Sequence, residues 1–281
     1  MIHSAVLNVM MKAAHRAGRS LKRDLGEVEN LQVSLKGPRN FVTAADRRAE
    51  EIVLEELAKA RPDYGFLGEE GGARAGADTS HRWIVDPLDG TTNFLHGIPH
   101  FAVSIGLERN GAIVAGLVYN PANDDTFIAE RGKGAYLNDK RIRVAARLKL
   151  AEAVVACGLP HYGRGDLALA RHEIAAAQQH FAGLRRYGAA ALDLAWVACG
   201  RLDAYWERDL SPWDIAAGSL LVREAGGFVT DLDGGDGIFT KNQVVAGNDT
   251  MHHELLRLLK DAGREAGKEF NQQAIKEASA P

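Results

Sequence analysis

Trp83-Ile84-Val85-Asp86-Pro87-Leu88-Asp89-Gly90-Thr91-Thr92-Asn93-Phe94 is the stretch around which the chain is organised. The run from Arg82 to Val85 is rich in β-branched and aromatic residues and reads as a buried strand. It is expected to end at Asp86-Pro87, because proline has no N–H to give to a strand's ladder. Asp89-Gly90-Thr91-Thr92 carries turn and N-cap chemistry, which opens a helix near Thr91 or Thr92. Two carboxylates then stand at a strand's carboxyl end, beside backbone N–H groups that face the same space. Carboxylates suit a hard, oxygen-ligated cation, and N–H groups at a helix start suit a phosphate. The competing reading is a plain strand–turn–helix junction with a helpful cap.

At 281 residues the chain can bury a sizeable core, as one large domain or two packed lobes. A net charge of −3 argues against a nucleic-acid footprint that dominates the surface. Cys157 and Cys199 stand far apart and outside any C-x-x-C pattern. That excludes a disulfide framework or zinc ribbon and fits a reducing, cytoplasmic setting. Lys12, His15, Arg16 and Arg19 interrupt the N-terminal apolar residues, so neither a secretory signal nor a membrane span is expected.

Outward from the central stretch, residues 2–25 have helical apolar spacing, with the basic residues on other faces. Lys36 to Asn40 reads as a loop. Thr43-Ala44-Ala45-Asp46 resembles a capping box that opens a second helix to about Ala60. Tyr64 to Leu67 is a short strand that runs into Gly68-Glu69-Glu70-Gly71-Gly72, and Ala73–Ser80 reads as a loop. Downstream, Arg109-Asn110-Gly111 between two apolar runs is a hairpin signal, and the pattern to Tyr136 is an antiparallel meander. Beyond Ala145–Leu150 the character changes to alternating short strands and helices. Among them are a small-residue helix over Ala189–Cys199, a strand ending at Glu207, and a helix opening at Ser211-Pro212-Trp213-Asp214. The chain is therefore divided into an N-terminal α+β lobe (1–150), a C-terminal α/β lobe (151–262) and a polar tail (263–281).

Four separated segments deliver acids to a strand end or helix start: Glu69-Glu70, Asp86 with Asp89, Glu207, and Asp214. If they converge, such a cluster repels itself unless a cation joins it, and a divalent metal is the natural partner; Mg²⁺ typically takes a few carboxylates and keeps water and phosphate as its other ligands. A Walker loop is absent. Asp231-Leu232-Asp233-Gly234-Gly235-Asp236-Gly237 mimics part of a calcium loop, but Asn242 stands where a bidentate glutamate belongs, so the segment reads as a turn.

Gly68-Glu69-Glu70, Trp83 to Phe94 and Trp213-Asp214-Ile215-Ala216-Ala217-Gly218 resemble, in order and separation, the signature segments of the inositol monophosphatase family. Lys36, Thr43 to Asp46 and Arg223 to Gly227 agree with that pattern, and the likeness covers roughly residues 5–260. The resemblance implies an α/β fold, a layered αβαβα sandwich, with Mg²⁺ dependence, lithium sensitivity and a homodimer. It implies metal ligands at Glu69, Asp86, the Leu88 carbonyl, Asp89 and Asp214. Glu70 would act on the attacking water, with Asp46 and Thr91 orienting it. The Gly90 and Thr91 amides would hold the phosphate, and Gly188, Ala190 and Glu207 would meet the alcohol portion. Ala189 departs from the pattern, since relatives often carry Thr or Ser there.

The expected activity is hydrolysis of a small phosphorylated polyol, inositol 1-phosphate first. Fructose 1,6-bisphosphate, histidinol phosphate and phosphoadenosine phosphate are the substrate alternatives that the family offers. Association with transcription antitermination machinery, with Arg185-Arg186 as the place to look, is the alternative from another class.

Overall fold

The computed structural model describes residues 3–25, 33–37, 40–160 and 165–278, with side chains described within 3–25, 44–160 and 165–269. In chain order, α1 (Ala5–Leu25) is followed by the hairpin β1 (Val33–Gly37) and β2 (Asn40–Thr43), and then by α2 (Ala44–Ala60). Next come β3 (Tyr64–Gly68), β4 (Gly72–Arg74), β5 (Asp78–Asp89), α3 (Thr91–Leu95), β6 (Ala102–Arg109) and β7 (Ala112–Asn120). The first half closes with β8 (Asp125–Glu130), β9 (Gly134–Leu137) and β10 (Lys140–Arg141). The second half holds β11 (Val154–Cys157), α4 (Leu167–His180), β12 (Gly183–Arg185), α5 (Ala190–Ala198), β13 (Ala204–Glu207), α6 (Pro212–Glu224), β14 (Phe228–Thr230), β15 (Val244–Gly247) and α7 (Asp249–Ala278).

These elements stack as αβαβα. The helices α1 and α2 cover one face of an eight-stranded sheet ordered β10-β9-β8-β7-β6-β5-β3-β4. On its other face lie α5 and α6, which also pack on a five-stranded sheet ordered β12-β11-β13-β15-β14. The outer face of that second sheet carries α4 and α7. Both sheets are mixed: β3 runs parallel to β5, and β11 parallel to β12 and β13, with the remaining pairs antiparallel.

The sequence explains which helix goes where. Leu7, Met10, Ala13, Ala14, Ala17 and Leu21 make one buried stripe on α1, as an amphipathic outer helix requires. Every residue of α5 from Ala190 to Leu194 is buried, because this helix has a sheet on each side. Gly218 on α6 lets that helix come close: a Cβ there would lie 2.6 Å from Leu194 Cβ. Gly106 and Gly116, directly paired across β6 and β7, open the sheet to α6. A Cβ at Gly116 would stand 2.9 Å from the Ala217 carbonyl oxygen.

Three expectations are corrected. The strand β5 does not end at Asp86-Pro87 but runs to Asp89, with its register against β6 shifted between Asp86 and Asp89. A bulge is where a strand tolerates proline, and it also re-aims the side chains beside it. Ala73–Ser80 is not simply a loop: it contains the end of β4 and the start of β5, where Asp78 accepts the Ser80 N–H and hydroxyl at 2.8 and 2.6 Å. Lys36 to Asn40 is not a loop throughout, since Lys36 and Gly37 end β1 and Asn40 opens β2; the tail, as an extension of the last helix, carries α7 on to Ala278. The Asn110-Gly111 hairpin turn has φ of 50° and 78°, the left-handed pair that such a turn needs. Pro38 and Arg39, and the side chains of Lys36 and Thr43, lie outside the described residues.

Candidate active site

A cavity of about 350 Å³ opens where β3, β5 and β13 end and α3 and α6 begin. Glu69, Asp86, Leu88, Asp89, Gly90, Thr91, Glu207 and Asp214 all line it, together with Arg208, Asp209 and Trp213. Residues spread over the chain from 69 to 214 therefore share one space.

Each acid reaches the cavity by a local device. The β5 bulge carries Asp86 and Asp89, which are buried; the Leu88 amide donates to Asp86 Oδ1 at 2.9 Å. Asp89 accepts the amides of Ala190 and Ala191 at 3.1 and 2.8 Å and that of Leu192 at 3.4 Å. Ala189, at the N-cap of α5, offers no side-chain acceptor. Asp89 supplies that cap instead. On α6, Ser211 is the N-cap and Asp214 completes a capping box, with the Ser211 amide donating to Asp214 Oδ2 at 2.7 Å. Glu207 ends β13, where the Tyr205 hydroxyl donates to its Oε2. Gly158 faces that carboxylate so closely that any Cβ there would overlap it.

Burial is the main cause that raises the Asp86 carboxyl well above its ordinary range, and the charges of Glu69, Asp89 and Asp214 add to it. Asp89 is raised the same way, by burial first and then by Asp214 and Asp193, against the Ala191 amide. Burial also pushes Glu207 up to about 8, opposed by the Tyr205 hydrogen bond. Glu207 is half-buried and lines the cavity, with its carboxylate bonded by Tyr205 and close against Gly158. The cavity is thus a concentration of negative charge in search of a counter-ion. Its donors are all oxygens, the set that a hard divalent cation selects. Among the described residues no three His, Cys, Asp or Glu side chains are gathered closely enough to hold a metal ion as they stand.

The Thr91 hydroxyl can donate to Asp46 Oδ1 at 2.9 Å or to the Leu88 carbonyl at 3.1 Å. With its proton engaged, the oxygen faces the cavity as an acceptor. Asp46 is buried on α2 and reaches the site through Thr91. Gly90 has φ 88°, and a Cβ there would stand 3.0 Å from the His100 carbonyl and 3.1 Å from Ala189 Cβ. Only glycine fits that corner.

Glu70, Gly188 and Ala190 do not line the cavity; the Ala190 amide is turned to Asp89. Two residues of this neighbourhood escaped the sequence reading. Asn93 donates to the carbonyls of His100 and Tyr187 at 2.7 and 2.8 Å, tying α3 to the turn before α5. Glu50, buried on α2, accepts the amides of Glu70 and Gly71. A charged residue on the apolar stripe of α2, one turn from Asp46, was the available signal.

The remaining sequence candidates resolve structurally. The Asp231 turn is filled from within: Asp231 accepts the amides of Asp233, Gly235 and Gly237, and Lys241 Nζ sits 2.8 and 2.7 Å from Asp231 and Asp233. Cys157 is buried and its thiol is pushed up to about 12, so it is no nucleophile. Among the described residues no helix is long and apolar enough to cross a membrane.

Comparison with known proteins agrees with this geometry. The family model for the inositol monophosphatase family matches residues 3–264. An inositol-1-monophosphatase of Mesorhizobium japonicum is 60% identical over 260 residues, covering 92% of this chain and 98% of that one. The extragenic suppressor protein suhB of Bartonella henselae superposes with a TM-score of 0.89 at 58% identity, covering 92% of this chain and 99% of that one. The Nus factor SuhB of Pseudomonas aeruginosa is 42% identical over 255 residues, covering 89% and 94%. Sequence, layered fold and acidic cavity agree, and the chain belongs to the inositol monophosphatase family.

Proposed function

We propose that this chain is a Mg²⁺-dependent phosphatase that releases orthophosphate from inositol 1-phosphate. The observation that carries the reading is the convergence of Glu69, Asp86, Asp89 and Asp214 on one cavity with Thr91 and the start of α3. Glu69, Asp86, the Leu88 carbonyl, Asp89 and Asp214 would hold the metal. An open carboxylate lining suits Mg²⁺, which keeps waters and substrate oxygens as ligands. When bound, such a cation polarises the phosphoryl oxygens and lowers the pKa of the attacking water.

The chain's own groups supply the rest. Thr91 accepts a hydrogen bond from the attacking water and so aims its lone pair, while Asp46 fixes the Thr91 rotamer. The Gly90 and Thr91 amides bind the phosphate at the helix start. Glu207 faces the leaving polyol, where its carboxyl group can accept hydrogen bonds from ring hydroxyls. Glu70, beside the turn, would assist the water. A homodimer in the cytoplasm, inhibited by lithium, completes the proposal by family likeness.

Phosphate release from inositol 1-phosphate, glycerol 2-phosphate and fructose 1,6-bisphosphate, with and without Mg²⁺, tests it. Fast, Mg²⁺-dependent turnover of inositol 1-phosphate is the expected result. Preference for the bisphosphate would overturn the substrate, and turnover in chelator would overturn the metal. A second reading, binding to transcription machinery, is supported by the Nus factor relative and by the exposed pair Arg185-Arg186 beginning at the edge strand β12. Pull-down with wild-type and Arg185→Ala/Arg186→Ala protein separates it from the enzyme reading.

A further inference from the structure

The helix α2 carries two buried acids one turn apart, and each holds a different wall of the cavity. Asp46 takes the Thr91 hydroxyl, on the segment after β5. Glu50 takes two consecutive amides of the β3–β4 turn: Glu70 N–H donates to its Oε2 at 2.8 Å and Gly71 N–H to its Oε1 at 2.6 Å. Both carboxylate oxygens are thereby engaged with the turn that presents Glu69 to the cavity.

The glycines of that turn follow from the same contact. A Cβ on Gly71 would stand 2.6 Å from Glu50 Oε1, and one on Gly68 would meet both Glu50 Oε2 and the Phe66 ring. The main chain wraps the carboxylate too closely for side chains. Gly68-Glu69-Glu70-Gly71 is thus shaped around an acid from another element, and Glu69 projects from the middle of a turn whose ends are held.

We infer that Glu50 is a positioning residue for Glu69 and Glu70, and that α2 acts as a spacer setting the distance between the β3–β4 turn and Thr91. The inference rests on the phosphatase reading for its catalytic consequence. Glu50 is not among the residues that line the cavity, and its hydrogen bonds there go to the turn amides, so it acts by holding the turn. A bidentate carboxylate serves both amides, whereas a carboxamide would set its NH₂ group against one of them. The turn would then lose one anchor while keeping its size and packing.

The experiment compares wild type with Glu50→Gln, and with Gly71→Ala, which presses on the same contact from the other side. In Glu50→Gln, kcat is expected to fall by about 10-fold or more, within the roughly 10²-fold that a small misplacement of a reacting group can cost. KM for inositol 1-phosphate should change little, and the Mg²⁺ concentration for half-maximal rate should rise. In metal-free protein, amide exchange across residues 68–72 should accelerate while the thermal transition stays cooperative. Gly71→Ala should reproduce the pattern and add little in the double variant, since both changes break one contact. Should Glu50→Gln fail to fold, Gly71→Ala alone decides by the same readouts. Wild-type kcat and wild-type exchange in either folded variant would overturn the inference, as would a kcat loss no larger than the loss of folded protein. A wild type inert toward every monoester would instead overturn the phosphatase reading, a result obtained before any variant is made.

Discussion

Asp89 and Ala191 are 102 residues apart in sequence and 2.8 Å apart in space, the Ala191 amide donating to the Asp89 carboxylate. One side chain therefore lines the cavity and caps the buried helix between the two sheets. Asp89→Ala should accordingly lose activity and also leave the α5 amides unpaired, at a cost of about 1–3 kcal/mol. Among the described residues Asp86 accepts the Leu88 amide and caps no helix, and an asparagine oxygen can keep accepting that amide. Because burial disfavours its charge, Asp86→Asn should be inactive yet no less stable than wild type without metal. Thermal midpoints of the metal-free proteins, with phosphate-release assays, check the contrast; equal destabilisation in both variants would refute it.

The Thr91 hydroxyl is fixed by Asp46 at 2.9 Å, so its contribution is directional. Thr91→Ala should lower kcat by roughly 10²-fold or more while KM changes little, since the role proposed for the hydroxyl is to orient the attacking water and not to bind the phosphate. Steady-state kinetics at saturating Mg²⁺ decide this; a KM effect alone would make Thr91 a substrate-binding group.

Glu207 lines the cavity and is proposed to meet the leaving polyol, while Ala189 at the start of α5 is buried with no hydroxyl to offer. Glu207→Ala should cost more kcat/KM with inositol 1-phosphate than with p-nitrophenyl phosphate, which lacks ring hydroxyls. Equal losses on the two substrates would reduce Glu207 to a structural support of Gly158 and Tyr205.

The same residue sets a pH signature. Its folded pKa of about 8 lies above an ordinary 4.5, so the folded chain holds the proton more tightly than the unfolded one. The stability that this supplies is complete below pH 4.5 and lost as pH rises through about 8, and Asp86 and Asp89 shift in the same direction. Metal-free protein should therefore melt at lower temperature as pH rises over that window. Glu207→Gln should flatten the upper part of the slope, and saturating Mg²⁺ should offset it by supplying counter-charge. Melting curves against pH, with and without the metal, are the measurement.

The close approach of α6 to the first sheet yields a prediction about the fold. At Gly116 an added Cβ meets the backbone of Ala217, its oxygen at 2.9 Å and its Cα at 3.1 Å, and neither can swing aside. Gly116→Ala should destabilise by about 1–3 kcal/mol through overpacking, lowering the thermal midpoint by several degrees. An unchanged midpoint would mean that the helix can slide without cost.

The β6–β7 hairpin was legible because Asn110-Gly111 sits between two apolar runs, and the turn type follows from those two residues alone. The α6 start was legible for a similar reason, since Ser211, Pro212 and Asp214 spell out a cap within four positions. The acids of the cavity could be nominated from their places at strand ends and helix starts, which is local information. Local information also misled: Pro87 reads as the end of β5, yet the strand continues because β6 pairs with it across a bulge.

Nearest neighbours along the chain are enough to dictate helix periodicity, the hairpin, the caps and the order of the acidic segments. It took the packed layers to show that Asp89 caps α5, that Glu50 grips the Glu69-Glu70 turn, and that Tyr205 holds the Glu207 carboxylate at the cavity wall. Those relationships join residues brought together by burial of apolar faces between layers, and burial is a property of the packed whole. The energies that tune the site, desolvation above all, exist only once the layers close.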